Sequence, residues 1–272
     1  MAYLILNDYK KLIQTDQLSQ IIGADYSLVN QIQIASQTEV ESYLVQKYDT
    51  DKEFTDTSLY VHGTTYQAKD RIYLDATAYS TTSTYAVNAL VLYNNNVYRC
   101  TTQVTVAEAW NAAKWTLLGA QYAMFYVTLP ADEYDYYTSY EAGDVVWYKD
   151  KQYTALSGST GYIPTEYPQT WGSGVAYSTA VVPTDTTKWT SGDNRNAQMV
   201  NTIIDVALYH IHSRIAPRNI PDLRAKRYDD AIMWLKNCAK GDSITADIPK
   251  VQPTQGMRIR YGSRLQKQNN NW

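Results

Sequence analysis

The stretch Gly143–Leu156, GDVVWYKDKQYTAL, decides how this chain must be read. Strand-forming residues flank a short polar loop, which is the signature of a β-hairpin. NALVLYNNNVYRCT, from Asn88 to Thr101, has the same shape. Counting from one tyrosine makes the repeat quantitative: Tyr93 and Tyr98 follow Tyr85 by 8 and 13 (93−85, 98−85), and Tyr148 and Tyr153 follow Tyr140 by 8 and 13 (148−140, 153−140). Val91 and Val146 share an offset, and both stretches run on to Lys-Trp-Thr, at Lys114–Thr116 and Lys188–Thr190. This predicts two modules, about residues 85–118 and 140–190, closed by Trp115 over Val91 and by Trp189 over Val146. Tyr66, Asp70, Ile72 and Tyr79 fit the register only in part, without a closing tryptophan, and are not counted as a third copy.

Outside the hairpins the periodicity changes. Asn7 and Asp8 are placed to cap a short helix through Ile13. A longer helix starts near Asp25 or Ser27 and ends near Tyr48, with Val29, Ile32, Ser36, Val40, Tyr43 and Leu44 on one face. From Asp49 to Asp193, Thr, Ser, Tyr, Gly and Pro dominate and helical spacing is lost. It resumes after Asp193, where Met199, Val200, Ile203, Ile204, Ala207, Leu208 and Ile211 form a stripe that Pro217 ends. A last helix follows Pro221, with Leu223, Ala231, Ile232, Leu235 and Cys238 inward and Gly241 at its end. The expected class is α+β: a small helical bundle formed by the N- and C-terminal segments (1–53 and 194–247), interrupted by a mostly antiparallel β insertion (54–193) and followed by a basic arm (248–272). For the helices to share a core, the two ends of the insertion must lie side by side.

A chain of 272 residues with 44% hydrophobic content buries a real core. The net charge of −3 gives no overall footprint for nucleic acid. Cys100 and Cys238 are far apart and fit neither a disulfide framework nor a zinc motif. No signal peptide is readable in MAYLILNDYKK, and no apolar run reaches about 18 residues, so a cytosol-like compartment without membrane insertion is expected. The 26 tyrosines against 2 phenylalanines point to half-exposed rings that meet water or a partner.

The residues Tyr140, Gly143, Asp144, Val146, Tyr148, Tyr153, Ala155 and a later tryptophan resemble the small chitin-binding type of carbohydrate-binding module. That resemblance implies aromatic rings on which sugars stack, here Trp147, Tyr162 and Trp171 by position. The first copy departs from it, with Asn88 and Ala89 where the second has Gly143 and Asp144. The alternative is that these rings form the core of a module too small to have another.

The flanking segments carry a second resemblance. YLILNDYKKLI, IASQTEVESYLVQKYDT, VNTIIDVALYHIHSRIAP and IPDLRAKRYDDAIMWLKNCAKGD are similar, in that order, to the head-to-tail connector (adaptor) proteins of tailed bacteriophages. Glu41–Leu44 with Lys47–Tyr48, and Arg227–Ala231 with Trp234–Leu235 and Gly241, carry it most strongly. It implies a non-enzymatic structural protein of the virion, without cofactor or metal. It further implies a dodecameric ring between portal and tail at the head-tail junction, with DNA passing through unread. Family members join the second and third helices by a short connection, where this chain places its β region. Glu41, Lys47, Arg224, Arg227, Asp229 and Asp230 are the candidates for contacts between ring subunits, or else a solvated face. The segment after Ile248 contains Lys250, Arg258, Arg260, Arg264 and Lys267 and no acidic residue. By the resemblance it is an arm that docks on the portal, with Arg258, Ile259, Arg260, Tyr261, Arg264, Leu265 and Trp272 as its contact residues; DNA is the other target for its cations.

Catalytic constellations are not assembled by the sequence. His210 and His212 point to opposite sides of a helix, and His62 stands alone. Asp132, Glu133 and Asp135 read as a solvated acidic loop rather than a cation site. SGSTG at 157–161 lacks the lysine of a phosphate loop. A glycan-binding adhesion protein is the alternative function, and a hydrolase acting on polysaccharide a third.

Overall fold

A computed structural model of the chain describes residues 3–23, 25–215, 218–241 and 248–251. The fold is α+β. A 3-10 turn at Leu6–Lys11 precedes α1 (Thr15–Ile22), α2 (Tyr26–Leu44) and the short α3 (Thr50–Glu53); α4 (Ala197–Ile215) and α5 (Asp222–Lys240) follow the strands. Asp25 caps α2 by accepting from the amides of Ser27 and Leu28. Asn196 does the same for α4, accepting from the amides of Gln198 and Met199. Gly241 ends α5 at φ +83°, in the left-handed region that glycine enters without strain.

The predicted stripe of α4 is buried at all seven positions, and α2 buries Val29, Ile32, Ser36, Val40 and Leu44. Residues from α1, α2, α4 and α5, with Tyr3, Leu4, Tyr9 and Tyr48, form one apolar cluster drawn from both ends of the chain. Two expectations are corrected. Helix α1 was not anticipated, and Leu223, expected inside, is 60% exposed at the first turn of α5.

The strands fall into stretches: β1 (Thr57–Leu59), β2 (Tyr66–Gln67) and β3 (Arg71–Tyr73); β4 (Leu90–Tyr93), β5 (Asn96–Cys100), β6 (Trp115–Ala120) and β7 (Met124–Val127); β8 (Ser139–Tyr140), β9 (Val145–Tyr148), β10 (Lys151–Thr154), β11 (Ser159–Thr160) and β12 (Val175–Ala176); β13 (Ser178–Thr179) and β14 (Trp189–Ser191). One sheet has the order β1-β3-β7-β14, antiparallel except for β1 beside β3. Another is the antiparallel β4-β5-β6.

The repeat occurs three times. Tyr79 and Tyr85 stack at 5.2 Å, Tyr134 and Tyr140 at 5.6 Å, and Tyr60 and Tyr66 at 6.1 Å. In each pair the second hydroxyl accepts from a main-chain amide just after the first ring: Ser80 to Tyr85 at 2.7 Å, Asp135 to Tyr140 at 2.8 Å, Val61 to Tyr66 at 2.8 Å. A tryptophan then meets that second ring edge-on at 5.3 Å: Trp115, Trp171 and Trp189 in turn. Strand register agrees throughout. Val91 faces Tyr98, Val146 faces Tyr153 and Ile72 faces Phe125; two residues on, Cys100, Ala155 and Val127 lie opposite those tryptophans.

Trp189 therefore closes the Tyr66 module, against Tyr66, Ile72 and Val127, and not the module of Val146, which Trp171 closes. Trp115 does close over Val91, with Cys100 and Val104. The third copy escapes sequence counting because of separation: the tryptophan follows its tyrosine by 30 (115−85), 31 (171−140) and 123 (189−66) residues. The other two modules lie in the connections of the split one. The chain forms two compact units, the first of Met1–Pro130 with Ala176–Val251, the second built on Ala131–Val175. The helices and the first two modules thus share a unit, and the expected borders at 53/54 and 193/194 lie inside it.

Candidate interaction surfaces

The three aromatics singled out as sugar platforms behave differently. Trp171 is fully buried and Trp147 is 2% exposed. Trp171 packs on Tyr134 and Tyr140, and its Nε1 donates to the Tyr162 carbonyl at 2.7 Å. Trp147 lies beside Val146 on β9, where neighbours point to opposite faces, and both are inside. Neither offers a ring face to a ligand. Tyr162 is 44% exposed, and it gathers a surface that the sequence did not suggest. Its ring meets Tyr167 at 4.6 Å; Tyr136 lies 3.3 Å from where a Cβ on Gly161 would sit; Tyr137, 77% exposed, meets Tyr136 at 5.3 Å. The surface's signal in the sequence is the tyrosine-rich run EYDYYTSY, which supplies Tyr136 and Tyr137.

The ring-contact candidates lie along α2, α5 and the residues just after α2. Glu41 accepts from Gln37 at 2.8 Å, and Lys47 lies over the Tyr48 ring. Arg224 donates to the Leu12 carbonyl at 3.2 Å and is itself lowered by burial and by Arg227. Arg227 pairs with Asp205 at 3.6 Å. These two arginines are half-buried within their own chain, whereas Asp229 and Asp230 are exposed. Beside them Glu39 accepts from the Tyr228 hydroxyl at 2.8 Å and pairs with His210 Nε2 at 2.7 Å. Burial, then the Glu39 hydrogen bond, raises the Tyr228 phenol well above its ordinary range.

A buried charged knot joins the helices to the split module. Arg195, its side chain wholly buried, holds Asp8 in a two-pronged pair, Nη1 to Oδ2 at 2.7 Å and Nη2 to Oδ1 at 3.0 Å, and also reaches Asp193 at 2.8 Å. Burial alone would lower the guanidinium, but Asp193 and Asp8 more than offset it and hold it fully charged. Arg71 on β3 donates to Asn194 Oδ1 and to the carbonyls of Thr55 and Glu53. Tyr3 lies 5.5 Å from each guanidinium, and its hydroxyl donates to Glu53 at 2.6 Å. Glu53 also accepts from the Asn196 amide at 3.0 Å, so the two ends of the interposed region do meet.

The knot fixes the Tyr3–Asp8 segment beside β1, and an open cleft of about 450 Å³ lies between them, lined by Leu4–Leu6, Thr57–Leu59, Tyr73 and the first turns of α2. Leu6, Tyr26 and Leu59 at this cleft are large apolar residues left exposed.

No known protein family or characterised protein matches. The chain's surfaces must therefore speak for themselves. Among the described residues there is no cluster of three or more His, Cys, Asp or Glu able to hold a metal, and no helix long and apolar enough to cross a membrane. The arm residues Arg258, Ile259, Arg260, Tyr261, Arg264, Leu265 and Trp272 lie outside the described residues.

Proposed function

We propose that the chain is a structural virion protein, a head-to-tail connector that assembles as a ring, a dodecamer by the family resemblance, between portal and tail around the DNA channel. The observation that carries this reading is the joining of helices from both ends of the chain in one apolar core, with Glu53 and Asn196 bonded across the break. That is the arrangement expected of a connector whose second and third helices have been parted by an interposed region. The exposed Asp229 and Asp230 on α5 offer a surface for subunit contacts. The test is native mass spectrometry of the purified full chain, alone and with its portal: a closed ring that binds portal supports the connector, and a monomer that ignores portal at micromolar concentration overturns it.

A second reading, glycan binding by the Ala131–Val175 unit, is favoured by one observation, the exposed rings of Tyr137 and Tyr162 with Tyr136 and Tyr167 beside them. Retention of the full chain on polysaccharide resins, lost in Tyr137→Ala with Tyr162→Ala, would establish it.

A further inference from the structure

The sheet β4-β5-β6 has two faces. Val91, Cys100 and Trp115 turn to the core of their own module. Leu92, opposite Val97, and Leu90, opposite Arg99, lie on the other face, against the cluster of the split module that holds Tyr60. The period of its strand thus carries Arg99 to the seam between the two modules. There its bonding is incomplete. Arg99 Nη1 donates to Asn88 Oδ1 at 2.9 Å, but Nε is shut off from water without an acceptor, and no carboxylate pairs with the guanidinium among the described residues. Nη1 lies on the side away from the Nε hydrogen, so the Nε–Nη2 edge, the one that matches two oxygens of an oxyanion, is left whole. A guanidinium placed only to support the fold would have that edge filled.

Comparison of the copies shows that this pair is particular to its module. Counted from the second tyrosine of the stacked pair, Asn88 stands where the continuous module has Gly143 (88−85, 143−140), and Arg99 where it has Thr154 (99−85, 154−140). Asn88 at φ +71° and Gly143 at +97° are both left-handed, so glycine would serve the turn and asparagine serves the arginine. His62 completes the cluster from the split module. Its Nδ1 lies 3.2 Å from the Tyr60 hydroxyl, and burial, then Tyr66, pushes that phenol up to about 12, so it keeps a proton to donate. Nδ1 then accepts, and Nε2 carries the imidazole hydrogen as a free donor. Burial, then the charge of Arg99, lowers the imidazole itself and keeps it neutral at about pH 7.5.

We propose that Arg99 and His62, with Asn88 holding the arginine in place, form a binding site for a single carboxylate at the seam of the two modules. One carboxylate oxygen meets Nη2 and, as the guanidinium swings toward it, the other meets Nε; His62 Nε2 supplies a third hydrogen bond. Charge decides for a carboxylate over a phosphate. One guanidinium beside a neutral imidazole balances a monoanion, whereas a phosphate dianion leaves one negative charge uncompensated in a half-buried place. The carboxylate belongs to a free acid or to an acidic side chain of a second copy, and the site stands apart from both the connector and the glycan readings.

The test follows the His62 imidazole by NMR in the full chain, isotope-labelled at histidine, with His62→Gln to assign its signal among the three histidines. Sodium acetate, added at about pH 7.5 and constant ionic strength, is expected to shift that signal saturably. Arg99→Gln should raise the half-saturating concentration at least about tenfold, and Asn88→Gly, which restores the glycine of the continuous module and keeps the turn, about threefold. Phosphate should require at least about fivefold more than acetate. Should Arg99→Gln fold poorly, Asn88→Gly decides alone. No saturable shift of His62, or an unchanged half-saturating concentration in the variants, would overturn the site, and tighter binding of phosphate would overturn its assignment to a carboxylate. Without added acid, a His62 signal that moves toward its acetate-bound position as the protein is concentrated upholds the site with a second copy as the source. A signal that stays in place, yet answers to acetate, upholds it with a free acid.

Discussion

The module closed by Trp189 and the module closed by Trp171 share one core pattern, yet one is continuous and the other is assembled from three distant pieces of chain. In the continuous module Tyr134, Tyr140, Val146, Tyr153 and Trp171 lie within 37 residues (171−134). In the split module Tyr60, Tyr66, Ile72, Phe125 and Trp189 take the same places across 129 (189−60). The difference teaches what specifies so small a sheet. Loop length is nearly free, because closing a longer loop costs only slowly more entropy. The alternation that sets a tyrosine pair against a tryptophan is not free, since a one-residue slip would turn every ring outward.

The largest effect expected from breaking this comparison is at the tryptophans. Trp189→Ala and Trp171→Ala should each cost about 3–5 kcal/mol, as for other large aromatic truncations in a core. Their reach should differ. Trp171→Ala should open new protease sites within 131–175 alone, whereas Trp189→Ala, in the sheet that carries Arg71 and Met124, should lower the melting transition of the helices as well. Equal, local patterns for both would show that the split module is not the hub.

Arg195→Gln comes next. It strands the Asp8 carboxylate in a buried site, a change that typically costs about 3–5 kcal/mol when a buried pair loses one partner. Urea unfolding followed by circular dichroism should show the loss, and the continuous module should keep its protease resistance.

The tyrosine hydroxyls sharpen the comparison. Tyr66→Phe, Tyr85→Phe and Tyr140→Phe each remove a bond from a main-chain amide, worth about 1 kcal/mol apiece. Similar penalties in all three would mark one shared architecture; a negligible value at Tyr66 would separate the split module from the others.

The smallest effect concerns acid. Burial would raise the Asp193 carboxyl, but the hydrogen bond and charge of Arg195 hold it below its ordinary value. A carboxylate held low adds stability in full above the unfolded value of about 3.9 and loses it as pH falls through the folded value. Asp193→Asn should therefore flatten the decline in stability below about pH 4 and leave the neutral region little changed in slope. An unchanged acid limb in thermal melts would remove Asp193 from the account.

The helical stripes, the hairpin registers and the α+β class were legible because each rests on spacing within a few turns or strands. Val29 through Leu44 and Met199 through Ile211 announce themselves by period. Trp189 misled because the Lys-Trp-Thr motif is local while its partner, Tyr66, is remote. Trp147 and Trp171 misled for another reason: chemistry marks a ring as a platform, but only packing says whether its face is free. The cleft beside β1 had no local signature, being formed where residues 4–6, 26–33 and 57–59 converge.

The pairing of Asp8 with Arg195 spans 187 residues, and it sets an order of events when the chain is made. Synthesis proceeds from the N-terminus at roughly 5–20 residues per second, so Asp8 waits on the order of ten seconds or more for its cation to emerge. The Trp115 and Trp171 modules are complete in the chain well before then and need nothing further downstream for their own cores. The split module and the helices must wait, since Trp189, Arg195 and α4 arrive almost together. The two continuous modules are thus poised to be the earliest folded parts of this protein, and the helical core, though it includes residues near Tyr3 and Asp8, its last.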